Sequence, residues 1–159
     1  MVTVRPLERG DIGALHDLEA EVYVPALHVS DAAFLRLMDL YPAGAIGAFD
    51  DEGLCGYAVG VPVRAGATLD LHVPLAALDE HADTFYVHDV AVAPRRRGTG
   101  LGRALGTRLV EHARANGFTR GELVSVQGSA PFWEKLGFRR VREFVYAPGV
   151  PSTKMVAEW

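Results

Sequence analysis

The sequence predicts an α/β fold in which strands and helices alternate along one domain, residues 1–159. Two observations support this class. The stretch from Phe85 to Phe118 has the order strand, glycine-rich turn, helix, and further strand and helix patterns precede and follow it. Apolar residues make up 49% of the 159 positions, which is enough to form one hydrophobic core.

The central stretch is the clearest part of the pattern. Residues 85–93 are largely apolar and include several β-branched side chains, which predicts a strand. Pro94 ends this strand because proline has no N–H to donate to a neighbouring strand. After a glycine-rich turn, apolar side chains recur every fourth residue from Leu101 to Ala113. This spacing predicts one face of a helix, which ends at Gly117.

The chain before this stretch is predicted to contain one strand, two helices and a hairpin. Asp11 is a suitable N-cap for the first helix, and Ser30 or Asp31 for the second. Asp50–Gly53 has the acidic residues and the glycine of a hairpin turn. The predicted boundaries are 2–6 for the strand, 11–24 and 30–41 for the helices, and 45–49 and 54–63 for the two hairpin strands.

The remaining segments are a long connection and a C-terminal strand–helix–hairpin unit. The connection, 64–84, is too rich in leucine to be disordered, and we expect one helical turn in it near Leu75–Leu78. Ser129 is predicted to cap a short helix with Pro131 in its first turn, where a missing N–H costs little. The predicted boundaries are 130–136 for this helix and 122–126, 138–146 and 154–159 for the strands.

The glycine-rich turn has the properties of an anion site. The first turn of a helix carries N–H groups without internal partners and the positive end of the helix dipole. Gly98, Gly100 and Gly102 would allow a bulky anion to approach the backbone closely, and neighbouring arginines add positive charge. The turn therefore predicts a phosphate or pyrophosphate cradle; the alternative is a plain tight turn with solvated arginines.

Two common nucleotide-binding patterns do not fit this turn. A P-loop needs Gly-Lys followed by Ser or Thr, and Gly102 is followed by Arg103. A dinucleotide-binding fingerprint needs a third glycine at the position that Arg103 occupies. A nicotinamide-dependent oxidoreductase is therefore the least favoured of the alternatives.

The spacing Arg95-x-x-Gly98-x-Gly100 resembles the Gln/Arg-x-x-Gly-x-Gly/Ala signature of the GCN5-related N-acetyltransferases (GNAT). A second landmark, Ser129-x-x-Phe132-Trp133-x-x-x-Gly137-Phe138, resembles that family's Ala-x-x-Leu/Phe-Tyr-x-x-x-Gly-Phe. The resemblance covers the whole chain and implies a mixed, mostly antiparallel sheet of six to seven strands. It also implies four flanking helices and two central parallel strands that splay apart.

The resemblance further implies that acetyl-coenzyme A is the co-substrate. In this family the backbone of the central strand pairs with the pantetheine arm, and the glycine-rich turn holds the pyrophosphate. The residues that match these positions are Val90, Ala91, Val92, Arg95, Arg96, Arg97, Gly98, Thr99, Gly100, Leu101, Gly102, Arg103, Ser129, Phe132 and Trp133.

The candidate catalytic residues are His88 and Tyr86. The pattern Tyr86-x-His88-x-Val90 resembles the histidine-bearing strand of serotonin N-acetyltransferase-like enzymes. Because side chains alternate along a strand, we expect Tyr86, His88 and Val90 to share one face and Asp89 to point away as a structural residue. A histidine titrates near ~6.5, which suits a general base acting directly or through water. A packed strand histidine is the alternative.

Two positions depart from the family pattern. Trp133 stands where most members have a tyrosine whose hydroxyl can protonate the departing thiolate, and an indole N–H is not a useful acid. We expect Trp133 to pack beside the co-substrate, and water, Ser129 or Tyr146 remain as proton donors. Val126 replaces a common asparagine, so one contact to pantetheine is absent.

The acceptor is not specified by these motifs. We predict acetyl transfer to the amine of a small molecule, by direct attack in a ternary complex. A protein N-terminus or lysine is the second candidate, and a non-catalytic coenzyme A-binding sensor is the third. The candidate acceptor-lining residues are Tyr23, His28, Tyr41 and Tyr146, each of which could instead be ordinary packing.

Composition disfavours several other classes of function. The net charge of −4 does not favour a nucleic-acid partner, and no apolar run is long enough to span a membrane. The single cysteine, Cys55, excludes a disulfide framework, and neither His72 nor His81 stands at metal-ligand spacing. We therefore expect no metal, no membrane partner and a cytoplasmic location, and a homodimer stays open.

Overall fold

Seven strands form one sheet in the computed structural model, which describes all residues from Met1 to Trp159. The strands are β1 (Thr3–Pro6), β2 (Ala45–Asp50), β3 (Gly53–Val63), β4 (Thr84–Val92), β5 (Arg120–Val126), β6 (Arg139–Ala147) and β7 (Val150–Glu158). The α-helices are α1 (Ile12–Val22), α2 (Asp31–Leu40), α3 (Leu101–Ala115) and α4 (Ala130–Glu134). The strand order is β1-β2-β3-β4-β5-β7-β6.

The sheet is antiparallel except for β4 and β5. These two strands pair only from Phe85, opposite Gly121, to Val87, opposite Leu123. Beyond Val87 they separate, and a cleft opens between the second half of β4 and the end of β5. The predicted sheet, with its four helices and its splayed parallel pair, is therefore confirmed.

The two faces of the sheet are covered by different helices. Phe34 of α2 packs edge-on against Tyr57 of β3, with ring centroids 5.9 Å apart. On the opposite face, α3 approaches so closely that a Cβ at Gly56 would lie 3.0 Å from Leu105. One continuous hydrophobic core connects these layers.

A β-bulge at His88 changes the direction of the side chains in β4. Val59 of β3 lies opposite Asp89, but the next residue, Gly60, lies opposite Val87, so His88 has no partner in the register. The extra residue reverses the alternation after it. Asp89 therefore lies on the Tyr57 face together with His88, while Val90, opposite Ala58, lies on the other face. The expected sharing of a face by His88 and Val90, with Asp89 pointing away, is wrong.

The connection between β3 and β4 is ordered but contains no helical turn, so the turn predicted near Leu75–Leu78 is also wrong. The guanidinium of Arg36 on α2 donates to the carbonyls of Leu75 (3.0 Å) and Ala76 (2.5 Å). These carbonyls would otherwise be free to accept bonds within a helical turn. Side-chain donors thus replace local secondary structure here.

The C-terminal unit differs from the prediction in two details. Ser129 precedes α4 as expected, but its Oγ donates to the carbonyl of Val126 at 2.8 Å and makes no capping bond to the helix. Helix α4 is correspondingly short, and β7 begins at Val150 rather than Lys154.

Candidate active site

A cavity of about 450 Å³ occupies the cleft where β4 and β5 separate. The second half of β4 forms one wall, the end of β5 and α4 form another, and the start of α3 closes one end. The segment between α1 and α2 contributes to the other end. The lining is mainly apolar, and its charged side chains are Asp89, Arg96, Arg97 and Arg103.

The glycine-rich turn lies at the start of α3, where the cradle is predicted. Gly98 and Gly100 have φ values of 74° and 84°, a conformation that favours glycine over residues with a Cβ. The N–H groups of the first helical turn, Leu101 to Arg103, donate no hydrogen bond within the protein. This exposed, positively polarised turn lines the cavity and suits a phosphate or pyrophosphate.

The three consecutive arginines have different environments. Arg95 and Arg96 both bind the carboxylate of Asp50, each at 2.9 Å, and these hydrogen bonds hold the pKa of Asp50 well below its usual range. This arrangement anchors the cradle to the β2–β3 turn. Arg97 makes no ion pair and lines the cavity, as does Arg103, so both remain available to an anion.

Two predicted co-substrate residues do not line the cavity. Arg95 lies outside it, engaged with Asp50 and Glu52. Thr99 also lies outside, and its hydroxyl donates to the carbonyl of Arg96 at 2.5 Å. Their contribution is therefore to hold the shape of the turn. The other residues expected at the co-substrate all line the cavity: Val90, Ala91, Val92, Arg96, Arg97, Gly98, Gly100, Leu101, Gly102, Arg103, Ser129, Phe132 and Trp133.

The backbone of Val90 to Val92 borders the cleft because β5 no longer pairs with this part of β4. The carbonyl of Val90 accepts a hydrogen bond of 2.8 Å from the hydroxyl of Tyr23. Opposite this edge, Trp133 is almost buried and packs at a right angle to Phe132, with ring centroids 4.9 Å apart. An extended amide-containing chain could pair with the free edge of β4 between these walls.

His88 lines the cavity, but its ring is in an unusual environment. Both ring nitrogens are buried without a hydrogen-bond partner. The ring packs near Phe34 and Tyr86, at centroid distances of 6.4 and 6.0 Å. Burial lowers the pKa of His88 to about 4, so the imidazole is neutral at neutral pH and resists protonation.

Asp89 was expected to be structural, yet the bulge brings it into the cavity wall beside His88. Its Oδ2 accepts a hydrogen bond of 2.7 Å from the hydroxyl of Tyr57. Burial raises the pKa of Asp89 to about 6, and the Tyr57 and Tyr23 hydroxyls partly offset that rise. Sequence periodicity missed this residue because a bulge leaves no signal in the pattern of apolar side chains.

A second buried carboxyl, Glu19, lies close to this group. Its side chain is fully buried, and Oε2 accepts the N–H of Val29 at 2.9 Å while Oε1 has no partner. Burial, together with the charge of Asp89, raises the pKa of Glu19 to about 8. Glu19 is therefore uncharged at neutral pH, which leaves Asp89 as the charged carboxyl of this region.

The remaining predicted residues divide into two groups. Tyr23 and Tyr146 line the cavity, and the hydroxyl of Tyr146 donates to the carbonyl of Leu69 at 2.6 Å. Tyr86, His28 and Tyr41 lie outside it. Tyr86 is buried behind the wall, His28 Nε2 bonds to the carbonyl of Tyr23 (2.8 Å), and Tyr41 bonds to His112 of α3 (2.6 Å). Of the two catalytic candidates, which are neighbours in β4, only His88 thus lines the cavity.

Two further observations concern the chain as a whole. No cluster of three or more His, Cys, Asp or Glu side chains is arranged to hold a metal ion. None of the helices combines the length and the apolar character that crossing a membrane would require.

Comparison with known proteins gives a family match. Residues 12–138 match the sequence profile of the Acetyltransferase (GNAT) family. Over 54 residues the chain is 48% identical to the glucosamine 6-phosphate N-acetyltransferase of Trypanosoma brucei brucei. That alignment covers 34% of this chain and only 37% of that protein.

Solved structures share the fold at low sequence identity. The loading GNATL domain of CurA from Lyngbya majuscula superposes with a TM-score of 0.81 and 16% identity, covering 99% of this chain and 98% of that one. A chain of the NatC complex bound to Gag peptide and CoA gives a TM-score of 0.78, again with 16% identity and with coverage of 99% and 98%.

Proposed function

This chain belongs to the GNAT acetyltransferase family, and from that premise we propose that it transfers an acetyl group from acetyl-coenzyme A to the amine of a small molecule. The observation that carries the proposal is the continuity of the cradle with a cavity that contains a single carboxylate, Asp89, among apolar side chains. The cradle would hold the pyrophosphate, and the free edge of β4 would pair with the pantetheine arm.

The fit of the co-substrate rests on unpaired polar groups of the protein. The first-turn N–H groups of α3 have no partner within the chain, and Arg97 and Arg103 make no ion pairs. These are the donors that a pyrophosphate requires. Trp133 and Phe132 would then form the apolar wall beside the pantetheine arm, which supports a packing role for Trp133.

The preference for a small acceptor rests on how the cavity is closed. The connection between β3 and β4 is tied to α2 through the Ser30 N–H and the Leu71 carbonyl (2.9 Å). It is tied to β6 through the Tyr146 hydroxyl and the Leu69 carbonyl. On the same side, Leu27 packs against Ala147 and Val150 of the β6–β7 hairpin. These contacts tie together the segments around the acceptor end of the cavity, which favours a small acceptor over an extended peptide.

The chemical character of the acceptor follows from the lining. Away from the cradle, Val22, Leu27, Val29 and Leu71 give an apolar surface, and Asp89 is the one charged side chain. This combination suits an amine with an apolar body. The relative from Trypanosoma brucei brucei acts, by its name, on a sugar phosphate. No lysine or arginine lines this end of the cavity to bind such a phosphate.

The amine must lose a proton as it attacks the thioester carbonyl. Of the two neighbouring side chains, we assign Asp89 rather than His88 as the acceptor of this proton. The pKa of about 6 keeps Asp89 ionised at neutral pH and close to the working range of a base, whereas His88 resists protonation. His88 would instead support the wall against which the amine is held.

In this acyl transfer the neutral amine is the nucleophile. Its nitrogen forms the new bond to the acetyl carbon, the carbon–sulfur bond breaks, and the N–H proton passes to Asp89. The thiolate then takes up one proton. Either protonated Asp89 supplies it, which restores the carboxylate, or solvent supplies it and Asp89 releases its own proton to solvent. The hydroxyl of Tyr146 also lines the cavity, and it stays protonated because burial raises its pKa to about 12.

The test is release of free coenzyme A from acetyl-coenzyme A in the presence of three acceptor classes. These are primary amines with apolar bodies, glucosamine 6-phosphate, and peptides with free N-termini. We expect turnover with the apolar amines to exceed that with the other two classes. Turnover confined to peptides would favour a protein N-acetyltransferase. Tight coenzyme A binding without any turnover would instead indicate a sensor.

A further inference from the structure

Gln127 has a backbone conformation that its side chain does not favour. It is the one residue other than glycine with a positive φ, 51°, and Gly128 follows with 73°. The Ser129 N–H donates to the carbonyl of Val126 at 3.1 Å, which closes a tight turn with two left-handed central residues. Asparagine and glycine dominate the first of these positions, so a glutamine here needs a compensating interaction.

The compensating interaction is a pair of hydrogen bonds from the amide of Gln127 to the end of α1. Nε2 donates to the carbonyl of Val22 at 3.0 Å, and Oε1 accepts the N–H of Val24 at 3.0 Å. The amide therefore binds the backbone on both sides of Tyr23. No other side chain in the protein holds this extended segment through two backbone bonds.

Tyr23 itself spans the cleft. Its hydroxyl donates to the carbonyl of Val90 on the free half of β4, and it also faces Asp89. Its carbonyl is bonded to His28, at the other end of the segment between the helices. Since Gln127 and Tyr23 both line the cavity, the amide joins the end of β5 to the wall contributed by α1, across the gap between the splayed strands.

We infer that Gln127 is a positioning residue for the acceptor amine, acting by fixing the ring of Tyr23 at the cavity wall. This inference rests on the proposed function, because it concerns the acceptor end of that site. This backbone conformation directs the amide towards Val22 and Val24, and the two hydrogen bonds offset its strain. The cradle that would hold the pyrophosphate belongs to a different segment, so we expect this contact to leave the pyrophosphate contacts of coenzyme A intact.

Two variants separate the amide from the turn. Gln127→Gly keeps the positive φ without strain and removes the amide. Gln127→Asn also suits the turn, but its side chain is one methylene shorter and cannot make both bonds. Each variant is compared with the wild type for the acceptor KM, kcat, coenzyme A affinity by calorimetry and thermal midpoint. The acceptor is the best amine from the panel above.

We expect both variants to raise the acceptor KM by about tenfold, the effect of losing two ordinary hydrogen bonds, with coenzyme A affinity unchanged. A second readout is the coupling to Tyr23→Phe. If the amide acts through Tyr23, the KM effects of the two substitutions will not add. If Gln127 served only the stability of the turn, its substitution would change the thermal midpoint and leave the acceptor KM unaltered.

Three outcomes would overturn the inference. These are an unchanged acceptor KM in both variants, a parallel loss of coenzyme A affinity, or additive effects with Tyr23→Phe. Failure of the proposed function itself is recognised separately. In that case the wild-type protein binds coenzyme A but acetylates no acceptor, and the inference falls with it.

Discussion

The hydroxyl of Tyr57 donates a hydrogen bond of 2.7 Å to Oδ2 of Asp89, across strands β3 and β4. This contact exists because the bulge at His88 turns Asp89 towards the Tyr57 face. It stabilises the charged form of a carboxyl that burial would otherwise keep protonated. The pair thus places a carboxylate that is ionised at neutral pH inside a largely apolar cavity.

The first prediction compares Asp89 with its neighbour. Asp89→Asn should lower kcat by ~10²–10⁴-fold, the usual contribution of a positioned base, while coenzyme A affinity is retained. The wild-type rate should fall as the pH drops below about 6, where Asp89 takes up a proton. This decrease is the acidic limb of the pH–rate profile, and it should flatten in Asp89→Asn.

The matched variant for this prediction is His88→Gln, which should keep most of the turnover and the acidic limb. Tyr57→Phe provides a graded test, because loss of its hydrogen bond should raise the pKa of Asp89 and move the limb to higher pH. If His88→Gln abolished the limb while Asp89→Asn preserved it, the proton would have to be assigned to His88.

The second prediction concerns the cradle. Gly100 has a φ of 84°, so Gly100→Val would be strained and would place a side chain beside the first-turn N–H groups. We expect coenzyme A affinity to fall by at least tenfold in calorimetry while the protein stays folded. Gly117→Val is the control, because Gly117 has a φ of 86° at the opposite end of α3. Equal losses of affinity in both variants would show that strain, not access to the cradle, is responsible.

The third prediction concerns stability and pH. The pKa of Glu19 is about 8 in the folded protein, above its value of ~4.3 in an unfolded chain, so folding takes up a proton between these limits. This group therefore contributes stability that increases as the pH falls from about 8 towards ~4.3. Glu19→Gln should remove that part of the pH dependence and should be more stable than the wild type at pH 7.

Chemical denaturation at several pH values would measure this effect. Asp89 affects stability in the same direction. Its pKa is raised to about 6 in the folded protein, so the charged form that predominates above this pH destabilises the folded state relative to the unfolded chain. Asp89→Asn should consequently be more stable at neutral pH while losing activity. A Glu19→Gln profile parallel to that of the wild type would show that Glu19 is ionised in the folded state.

The fourth prediction concerns Trp133, which stands where relatives have a tyrosine. Trp133 packs against Phe132 and Phe138, and its ring also lies beside Gly106, where a Cβ would be in ordinary contact with it at 3.5 Å. Trp133→Tyr should lower the free energy of unfolding by about 1–3 kcal/mol through the gap it leaves, without raising turnover. A clear rise in kcat at unchanged coenzyme A affinity would instead show that the site lacks an acid.

The sequence by itself determined the family, the order of the elements and the conformation of the glycine-rich turn. These features are local. A strand ended by proline, a turn whose glycines adopt positive φ and an amphipathic helix are specified by residues close together in the chain. Gly98, Gly100 and the residues of the first turn of α3 therefore lie where the motif predicted them.

The tertiary structure decided which side chains line the cavity. A one-residue bulge exchanged the faces of Asp89 and Val90, and no apolar pattern reveals such an insertion before β3 is paired with β4. The donors of Arg36 replaced a helical turn, and the amide of Gln127 joined β5 to α1 over 105 residues of sequence. Contacts between distant segments depend on the packed sheet, because only the assembled fold brings their partners within hydrogen-bonding distance.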